Sequence, residues 1–445
     1  MFLALGGAVL SSIGFLGTAL IRAVQPPTME FGIFRFIDIE NCRIEGNCFF
    51  QNSISPYGRS LFPPTPDLSA LDVAVGATVL LPNQAIVWIG KTPPSEYWSF
   101  IPYLWRNTGT STGTIASEFY GPIIFASLTQ GINNFDYPNL DQIAIVMTRN
   151  QNVFQRERMR IQTKFPGLTV VPLWIPIEAP LDSLVNYIVR VAFFPRGAQE
   201  TYVNRPEVIT YKNTYSDIGY SPVMAIPSGS CVQVPLGVLP LYLKPLPKEP
   251  SEFCYQDLFD AYVAKIKKQY RVIREIRVVN FSEAVGLEQN YQSGLQCIVN
   301  NVLCQGDNPT AGYVASVPFE LGANESILVV AINHRLTQRC FYTSINLYEE
   351  EVALGINSTI PLDTELFYYH IWSPGAGEYR TIERSYVQLP ENVAPDTSTM
   401  LSFHVFIIPL TTPSIDIENP DAPLNVNLPG FQVLAEAKKM CVKYR

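Results

Sequence analysis

Only three histidines occur in the 445-residue chain, so few side chains could act as a general base or bind a metal ion. His370 and His404 lie in apolar stretches typical of strands, where a histidine usually belongs to the core. His334 lies instead in the polar segment 333–337, just after a strand-like run, and loops often carry functional residues. His334 is therefore the one candidate catalytic residue, and the alternative is a solvated turn histidine.

Several short catalytic motifs are missing from this sequence. It has no GxGxxG, no P-loop and no HExxH, which would indicate nucleotide binding or zinc chemistry. No pair of carboxylates stands out by its spacing either. We therefore expect no metal site and no cofactor, and we expect a protein that is not an enzyme.

Three aromatic residues could bind a ligand. Trp98, Tyr103 and Trp105 recur in one predicted strand, and exposed rings there would suit a glycan or another small molecule. Core residues alternate along a strand in the same way, so burial is the alternative.

A basic stripe is a second candidate binding feature. Arg156, Arg160 and Lys164 recur every four residues on a predicted helix, and Arg149 extends the stripe at the start of that helix. The stripe could meet phosphate or an acidic partner. The alternative is a solvated outer helix face, with Val153, Phe154, Ile161 and Phe165 buried on the opposite side.

The eight cysteines form no CxxC pair, which argues against zinc ribbons and thioredoxin-type sites. Cys42 with Cys48 and Cys297 with Cys304 could each close a small loop as a disulfide. Disulfides belong to oxidising compartments, so this reading favours export. Free, buried thiols are the alternative.

The N-terminus is the most apolar part of the chain. Residues 1–21 contain no charged side chain and are long enough for one membrane helix, and the first charge is Arg22. We expect a retained anchor that contacts the membrane through residues 2–21, with a cleaved signal peptide or an organellar targeting segment as alternatives. The body would then lie in an exported or extracytoplasmic compartment, or in a virion.

The composition and the pattern of apolar residues predict four segments in the chain. Residues 1–24 form the anchor or signal segment, and residues 25–84 form an extended, Pro-rich arm over a domain surface. Residues 85–245 form a β-rich domain, and residues 252–445 form a helix followed by a second β-rich domain. The fold class is α+β and β-rich, with two mixed-sheet domains and a few helices after an N-terminal transmembrane-type helix.

Two local patterns in these domains are specific enough to test. Residues 142–148, 152–164 and 168–175 predict a strand, a helix and a parallel strand in one βαβ unit. Apolar residues at helical spacing predict a second helix over 255–270, with Leu258 and Ile266 on its buried face.

An internal correspondence links the two halves of the chain. Residues 85–105 and 328–348 align without a gap at an offset of 243, and each predicts a strand, a polar turn and a longer aromatic strand, as in a hairpin. Duplication would explain the match, and convergent strand patterning in two β-rich domains is the alternative.

Short motifs in the same region resemble an uncharacterised family of exported proteins from bacteria and algae. The matching pieces are 97–100 with 103–104, 125–128 with 132–133, and 333–334 followed by Thr337 and Tyr342. The family's proteins have no known activity, so the resemblance implies export alone.

Composition favours an assembly subunit over an enzyme. Charged residues make up 16% of the chain, well below the average of about 25%, so we expect neighbours to cover much of the surface. The net charge of −8 argues against a nucleic-acid partner, which a basic protein would suit. We expect a non-enzymatic structural or interaction protein in an extracellular layer, envelope, virion shell or membrane complex, with protein partners or self-assembly. The alternatives are an exported ligand- or glycan-binding module and an exported enzyme that uses His334.

Overall fold

The computed structural model describes most of the first half of the chain and separate stretches of the second half. The described residues are 26–37, 55–64, 68–106, 123–129, 131–134, 137–177, 179–192, 194–195, 197–223, 256–269, 272–276, 278–280, 297–298, 311–316, 319, 326–333, 340–349, 354–359, 366–373, 386–388, 399–407 and 430–434. The predicted anchor and His334 lie outside them.

Strands dominate the structure, and the eleven strands of the first half join one curled, mixed sheet. We call them the N-terminal strand set: β1 (Thr28–Phe36), β2 (Tyr57–Leu61), β3 (Thr78–Val79), β4 (Gln84–Lys91), β5 (Tyr97–Arg106), β6 (Ile123–Ser127), β7 (Ile132–Asn133), β8 (Gln142–Thr148), β9 (Thr169–Trp174), β10 (Leu184–Ala192) and β11 (Val208–Thr214). Their order is β6-β5-β10-β2-β1-β11-β4-β8-β9, and β3 and β7 pair with β10 and β5. The prediction of a β-rich chain with mixed sheets is confirmed.

Four helices are described, and they are short. They are α1 (Ala70–Ala74), α2 (Gln151–Lys164), α3 (Ala198–Asn204) and α4 (Gln256–Lys267). α1 begins at a capping box, in which the Ser69 side chain accepts from the Asp72 amide and the Asp72 carboxylate accepts from the Ser69 amide. None of the helices in these ranges has the length and the apolar character that a membrane crossing requires.

The βαβ unit is confirmed. β8 and β9 are parallel neighbours, with Ile143 paired to Thr169 and Thr148 to Trp174, and α2 connects them. Asn150 caps α2 by accepting a hydrogen bond from the Asn152 amide.

The predicted arm is wrong where the structure describes it. Instead of lying over a surface, residues 28–36 and 57–61 form β1 and β2 in the middle of the sheet. The alternation of apolar residues in β1 explains the difference, because it turns Phe34 and Phe36 into the core.

The sheet curls so that its two halves face each other across one core. Trp88 of β4 and Phe100 of β5 belong to opposite halves, yet their ring centroids are 5.0 Å apart. β1 belongs to both halves, because residues 28–32 pair with β11 and residues 33–36 with β2. At this change of partner, a Cβ on Gly32 would lie 2.7 Å from the Phe62 ring, so only glycine fits without a shift.

The strands of the second half form two five-stranded sheets, which we call the C-terminal strand set. They are β12 (Val272–Ile276), β13 (Val278–Asn280), β14 (Ala311–Ser316), β15 (Ser326–Ile332), β16 (Cys340–Glu349), β17 (Leu354–Thr359), β18 (Phe367–Ser373), β19 (Tyr386–Gln388), β20 (Thr399–Ile407) and β21 (Gly430–Leu434). Their orders are β12-β21-β15-β18-β19 and β13-β14-β20-β16-β17.

The two strand sets have the same pairing order. The row β1-β11-β4-β8-β9 corresponds to β12-β21-β15-β18-β19, and both rows end in a parallel pair. The row β1-β2-β10-β5-β6 corresponds to β13-β14-β20-β16-β17, which is antiparallel throughout in both sets.

The offset of 243 residues aligns strands that hold equivalent positions. β5 (97–106) aligns with β16 (340–349) end to end, and β4 aligns with β15 to within two residues. The predicted hairpins are wrong, because β4 and β5 pair with other strands, as do β15 and β16. β4 and β5 lie in different rows of the N-terminal strand set, and β15 and β16 lie in the two equivalent rows of the C-terminal strand set. The correspondence therefore extends from the sequence to the topology.

α4 packs on the C-terminal strand set, but not with every predicted residue. Phe259 and Tyr262 stack on Phe367 at the start of β18, with centroids 5.7 and 5.6 Å away. Ile266 is buried as predicted, with 3% of its surface exposed, whereas Leu258 is 57% exposed. The prediction for Leu258 is wrong because the buried stripe is narrower than the apolar stripe in the sequence.

We therefore expect Ile266→Ala to lower the free energy of unfolding by about 2–5 kcal/mol, because it leaves a cavity under α4. Leu258→Ala is the matched control on the same helix, and its effect should stay within about 0.5 kcal/mol. Chemical denaturation of both variants measures the difference. Equal losses would show that α4 does not pack through Ile266.

Candidate functional site

The outer face of the N-terminal strand set is covered in part by α2. This face carries Val87 of β4, Val146 of β8 and Tyr211 of β11, which belong to one buried cluster with the helix residues Val153, Phe154 and Ile161. Phe154 also packs edge-on against Trp174 of β9 at 5.3 Å. Phe165, which the sequence placed on the buried face, is 43% exposed because α2 ends before it.

A buried carboxylate lies under α2. Glu157 has no exposed surface, and its Oε1 accepts hydrogen bonds from Asn213 Nδ2 and from the Tyr215 hydroxyl at 2.6 Å. Arg160 Nη1 lies 3.6 Å from the same oxygen. Sequence reasoning missed Glu157, although its spacing of four residues from both Val153 and Ile161 places it on the buried face.

The arginines of the basic stripe on α2 contact acidic and aromatic side chains of the same chain. The stripe is therefore neither a free anion site nor a plain solvated face. Arg156 forms a 2.8 Å ion pair with Asp217, and its guanidinium lies over the Tyr215 ring. Arg160 pairs with Glu157 and covers the Tyr211 ring at 5.4 Å. Lys164, the last residue of α2, is exposed.

Arg149 is not part of any surface stripe, because only 1% of it is exposed. It donates to the Leu80, Ala179 and Pro180 carbonyl oxygens at 2.7, 2.5 and 2.8 Å. Burial lowers the pKa of Arg149 to about 10, so the side chain stays charged at neutral pH. Its role is to join two loop segments, at Leu80 and at Ala179–Pro180, to the end of β8.

The three aromatic candidates are buried, so the expectation of exposed rings is wrong. Trp98, Tyr103 and Trp105 expose 3%, 0% and 1% of their surface. β5 lies between β10 on one side and β6 and β7 on the other, and both of its faces are covered. The Tyr103 hydroxyl is 2.5 Å from Arg190 Nη1, which donates to it.

Trp105 belongs to a second buried network, around Asp72 of α1. Trp105 Nε1 and Arg106 Nε each donate to Asp72 Oδ1 at 2.7 Å, and the Ser69 hydroxyl donates to Oδ2 at 2.6 Å. Burial alone raises the pKa of Asp72, but these hydrogen bonds and the Arg106 charge outweigh it, so the pKa lies below its ordinary value.

The other predicted residues are only partly described. His334, Cys42, Cys48 and Cys304 lie outside the described residues. Cys297 is fully buried and disulfide-bonded. The backbones of His370 and His404 lie in β18 and β20, as their apolar surroundings predicted. Within the described ranges, no group of three His, Cys, Asp or Glu residues is placed to hold a metal ion.

A cleft of about 1210 Å³ opens beside the C-terminal end of α2. Its lining includes Lys164, Arg205 and Asp141, together with Lys91 and Glu207, which form a 2.8 Å ion pair with each other. Several apolar residues complete the wall, among them Leu140, Phe165 and Leu168. The cleft can hold a small ligand that carries a negative group.

An exposed apolar patch continues the outer face where α2 does not reach. Phe31 and Ile33 of β1 are 65% and 56% exposed, and Ile209 of β11 is 52% exposed. Phe31 pairs directly with Tyr211, and side chains alternate along strands, so all three lie on the outer face. We call these three residues the β1–β11 patch.

Comparison with known proteins assigns the chain to no family: no family model matches it, and neither a curated protein nor a solved structure does. The resemblance to exported proteins of bacteria and algae therefore stays a prediction.

Removing one partner of the Glu157 network should destabilise the protein. Arg160→Met leaves the Glu157 charge buried without its cation, and we expect a loss of about 3–5 kcal/mol in the free energy of unfolding. Arg158→Met, on the exposed side of the same helix, should change it by less than about 0.5 kcal/mol. Equal effects in urea denaturation would contradict a role for the ion pair.

The Asp72 network predicts a pH dependence. Because the pKa of Asp72 is lowered by folding, the carboxylate stabilises the fold above about pH 4, and this contribution disappears as the pH falls towards the folded-state pKa. Asp72→Asn should therefore cost about 2 kcal/mol at pH 7, with a smaller difference from wild type at pH 2–3. Asp141→Asn, at an exposed position, is the control. If the loss of unfolding free energy in Asp72→Asn did not change with pH, the lowered pKa of Asp72 would be refuted.

Proposed function

We propose that this protein is a non-enzymatic structural subunit of a larger assembly, and that a virion shell is the assembly that suits its architecture best. The observation that carries the proposal is the strand order. In the N-terminal strand set, the row β1-β11-β4-β8 faces the row β2-β10-β5-β6 across one core. Two four-stranded rows with these connections make a jelly roll, an architecture of viral capsid proteins, lectins and cupins.

Repetition of this order supports a shell subunit over the other uses of the fold. The C-terminal strand set has the same two rows, so we propose two jelly-roll domains in tandem, within the predicted ranges 85–245 and 252–445 and with β1 and β2 added to the first. Two similar blocks in one chain present similar surfaces in two places. Repeated, equivalent contacts are what a closed shell or an extended layer needs.

The use of charge agrees with a structural role. Arg149, Asp72 and Glu157 are buried and hold loops and a helix to the sheet. Fold alone does not establish function, so this proposal rests on the repeated order together with the low charge of the chain. Residues 2–21 remain a proposed membrane contact, in a virion or an extracytoplasmic layer.

Ligand binding is the second candidate function, and the cleft beside α2 favours it. Because the aromatic residues of β5 are buried, the ligand would bind instead at Lys164 and Arg205, which line the cleft and carry no ion pair among the described residues.

The native mass tests the proposed function. We expect the full chain, purified in mild detergent, to form a defined multimer of the 49.8 kDa subunit in light scattering, and regular sheets or particles in electron microscopy. Cross-linking before dilution shows whether the contacts exist in solution. A monomer at every concentration up to about 100 µM, which would mean affinity too weak for a stable shell contact, would contradict the proposal.

A further inference from the structure

We propose that the β1–β11 patch is the surface through which one copy of this chain contacts a second copy. This inference rests on the proposed assembly function and adds the contact surface to it. The patch lies on β1 and β11, two neighbouring strands in the middle of the N-terminal strand set, so a contact there attaches to the interior of the sheet and not to its edge.

The exposure of the patch is unusual for a surface that stays in water. Phe31 and Ile33 are two residues apart on β1, and Ile209 is two residues from Tyr211, the β11 partner of Phe31, so the three residues lie on neighbouring strands. Each exposes more than half of its surface. Single exposed apolar residues are common, but a contiguous group of large ones marks an interaction site. Aromatic and branched aliphatic residues also supply much of the binding energy when a partner removes them from water.

The rest of the same face shows how the patch can be covered. α2 buries the part of the face around Val87, Val146 and Tyr211 with its own apolar residues. Arg160 closes this buried part at Tyr211, and Phe31 touches the other side of that region through a ring contact of 6.4 Å. The patch is therefore the uncovered remainder of an apolar face, and a second copy would complete the cover that α2 begins.

The charge beside the β1–β11 patch indicates which kind of partner would bind there. Arg35 follows Ile33 on the same face of β1, is exposed, and takes part in none of the ion pairs of the described residues. Its cross-strand neighbour Arg59 is also an arginine but is buried, with 7% of its surface exposed. The exposed charge beside the patch is therefore the positive charge of Arg35, whereas the chain carries 39 acidic against 31 basic residues. A second copy of this acidic chain offers the complementary charge, which favours specific association.

The test compares two substitutions that are matched in exposure. Ile33→Glu places a charge in the patch, and Leu258→Glu places one on α4, where the leucine is 57% exposed against 56% for Ile33. We expect Ile33→Glu to weaken self-association at least about 30-fold, the effect of losing one strong interface residue. Leu258→Glu should associate like the wild type. Analytical ultracentrifugation of the full chain in detergent measures both.

Two further variants separate a lost contact from a lost fold. Phe31→Ser shortens the patch without adding charge, and Arg35→Glu reverses the charge beside it. Both should weaken association, and the wild-type association should weaken as salt is raised, because salt screens the charge of Arg35. Thermal melting of each variant shows whether it folds, and if Ile33→Glu melts early the other two variants decide the result.

The possible outcomes are distinct. If the wild type assembles and all three patch variants assemble equally well, the patch is not the contact surface, although the assembly function stands. If the wild type is a monomer, the assembly function fails and the patch has no second copy to bind. A monomer that floats with vesicles of phosphatidylcholine and phosphatidylserine, with flotation lost in Ile33→Glu, would overturn this inference in favour of a membrane surface.

Discussion

One shared strand holds the described half of the chain together. β1 pairs with β11 through residues 28–32 and with β2 through residues 33–36, so it belongs to both rows of the jelly-roll order. The change of partner requires close approach of the backbone at Gly32 to Leu61 and Phe62. Without this strand the two rows would have no hydrogen-bonded connection along the path β2-β1-β11. In the C-terminal strand set the equivalent positions belong to two strands, β12 and β13, which are adjacent along the chain but lie in separate sheets.

Buried charges then fix the parts that hydrogen bonds between strands do not reach. Arg149 joins backbone carbonyl groups of two loops, Asp72 joins α1 to β5, and Glu157 joins α2 to β11 and the residues after it. A buried ion is costly unless it is well hydrogen-bonded, and such groups specify one arrangement rather than add much net stability. A subunit that must repeat the same contacts many times benefits from that specificity, which is our interpretation of these networks.

Both strand sets place a helix against the first strand of their parallel pair. α2 follows β8 and covers it from the outer face, while α4 precedes β12 and packs on Phe367 at the start of β18. β8 and β18 hold equivalent positions in the two rows. The apolar outer face of such a row needs a cover, and the chain supplies it from a different place in each set. What differs between the sets is therefore the helix, and the strand order is what they share.

The sequence by itself determined the strand-rich character of the chain from residue 85 onwards, the βαβ unit and the α4 helix, because hydrophobic periodicity and breaker residues are local signals. It missed β1 and β2, which it assigned to an extended arm. It also indicated the relation between residues 85–105 and 328–348. It could not decide partners: β4 and β5 resembled a hairpin, yet each pairs with strands distant along the chain. It could not separate buried from exposed positions in strands covered on both faces, so Trp98 and Trp105 were misjudged, as was Leu258. Burial depends on which elements the chain brings to each face, and only the tertiary structure decided that for Arg149, Glu157 and the β1–β11 patch.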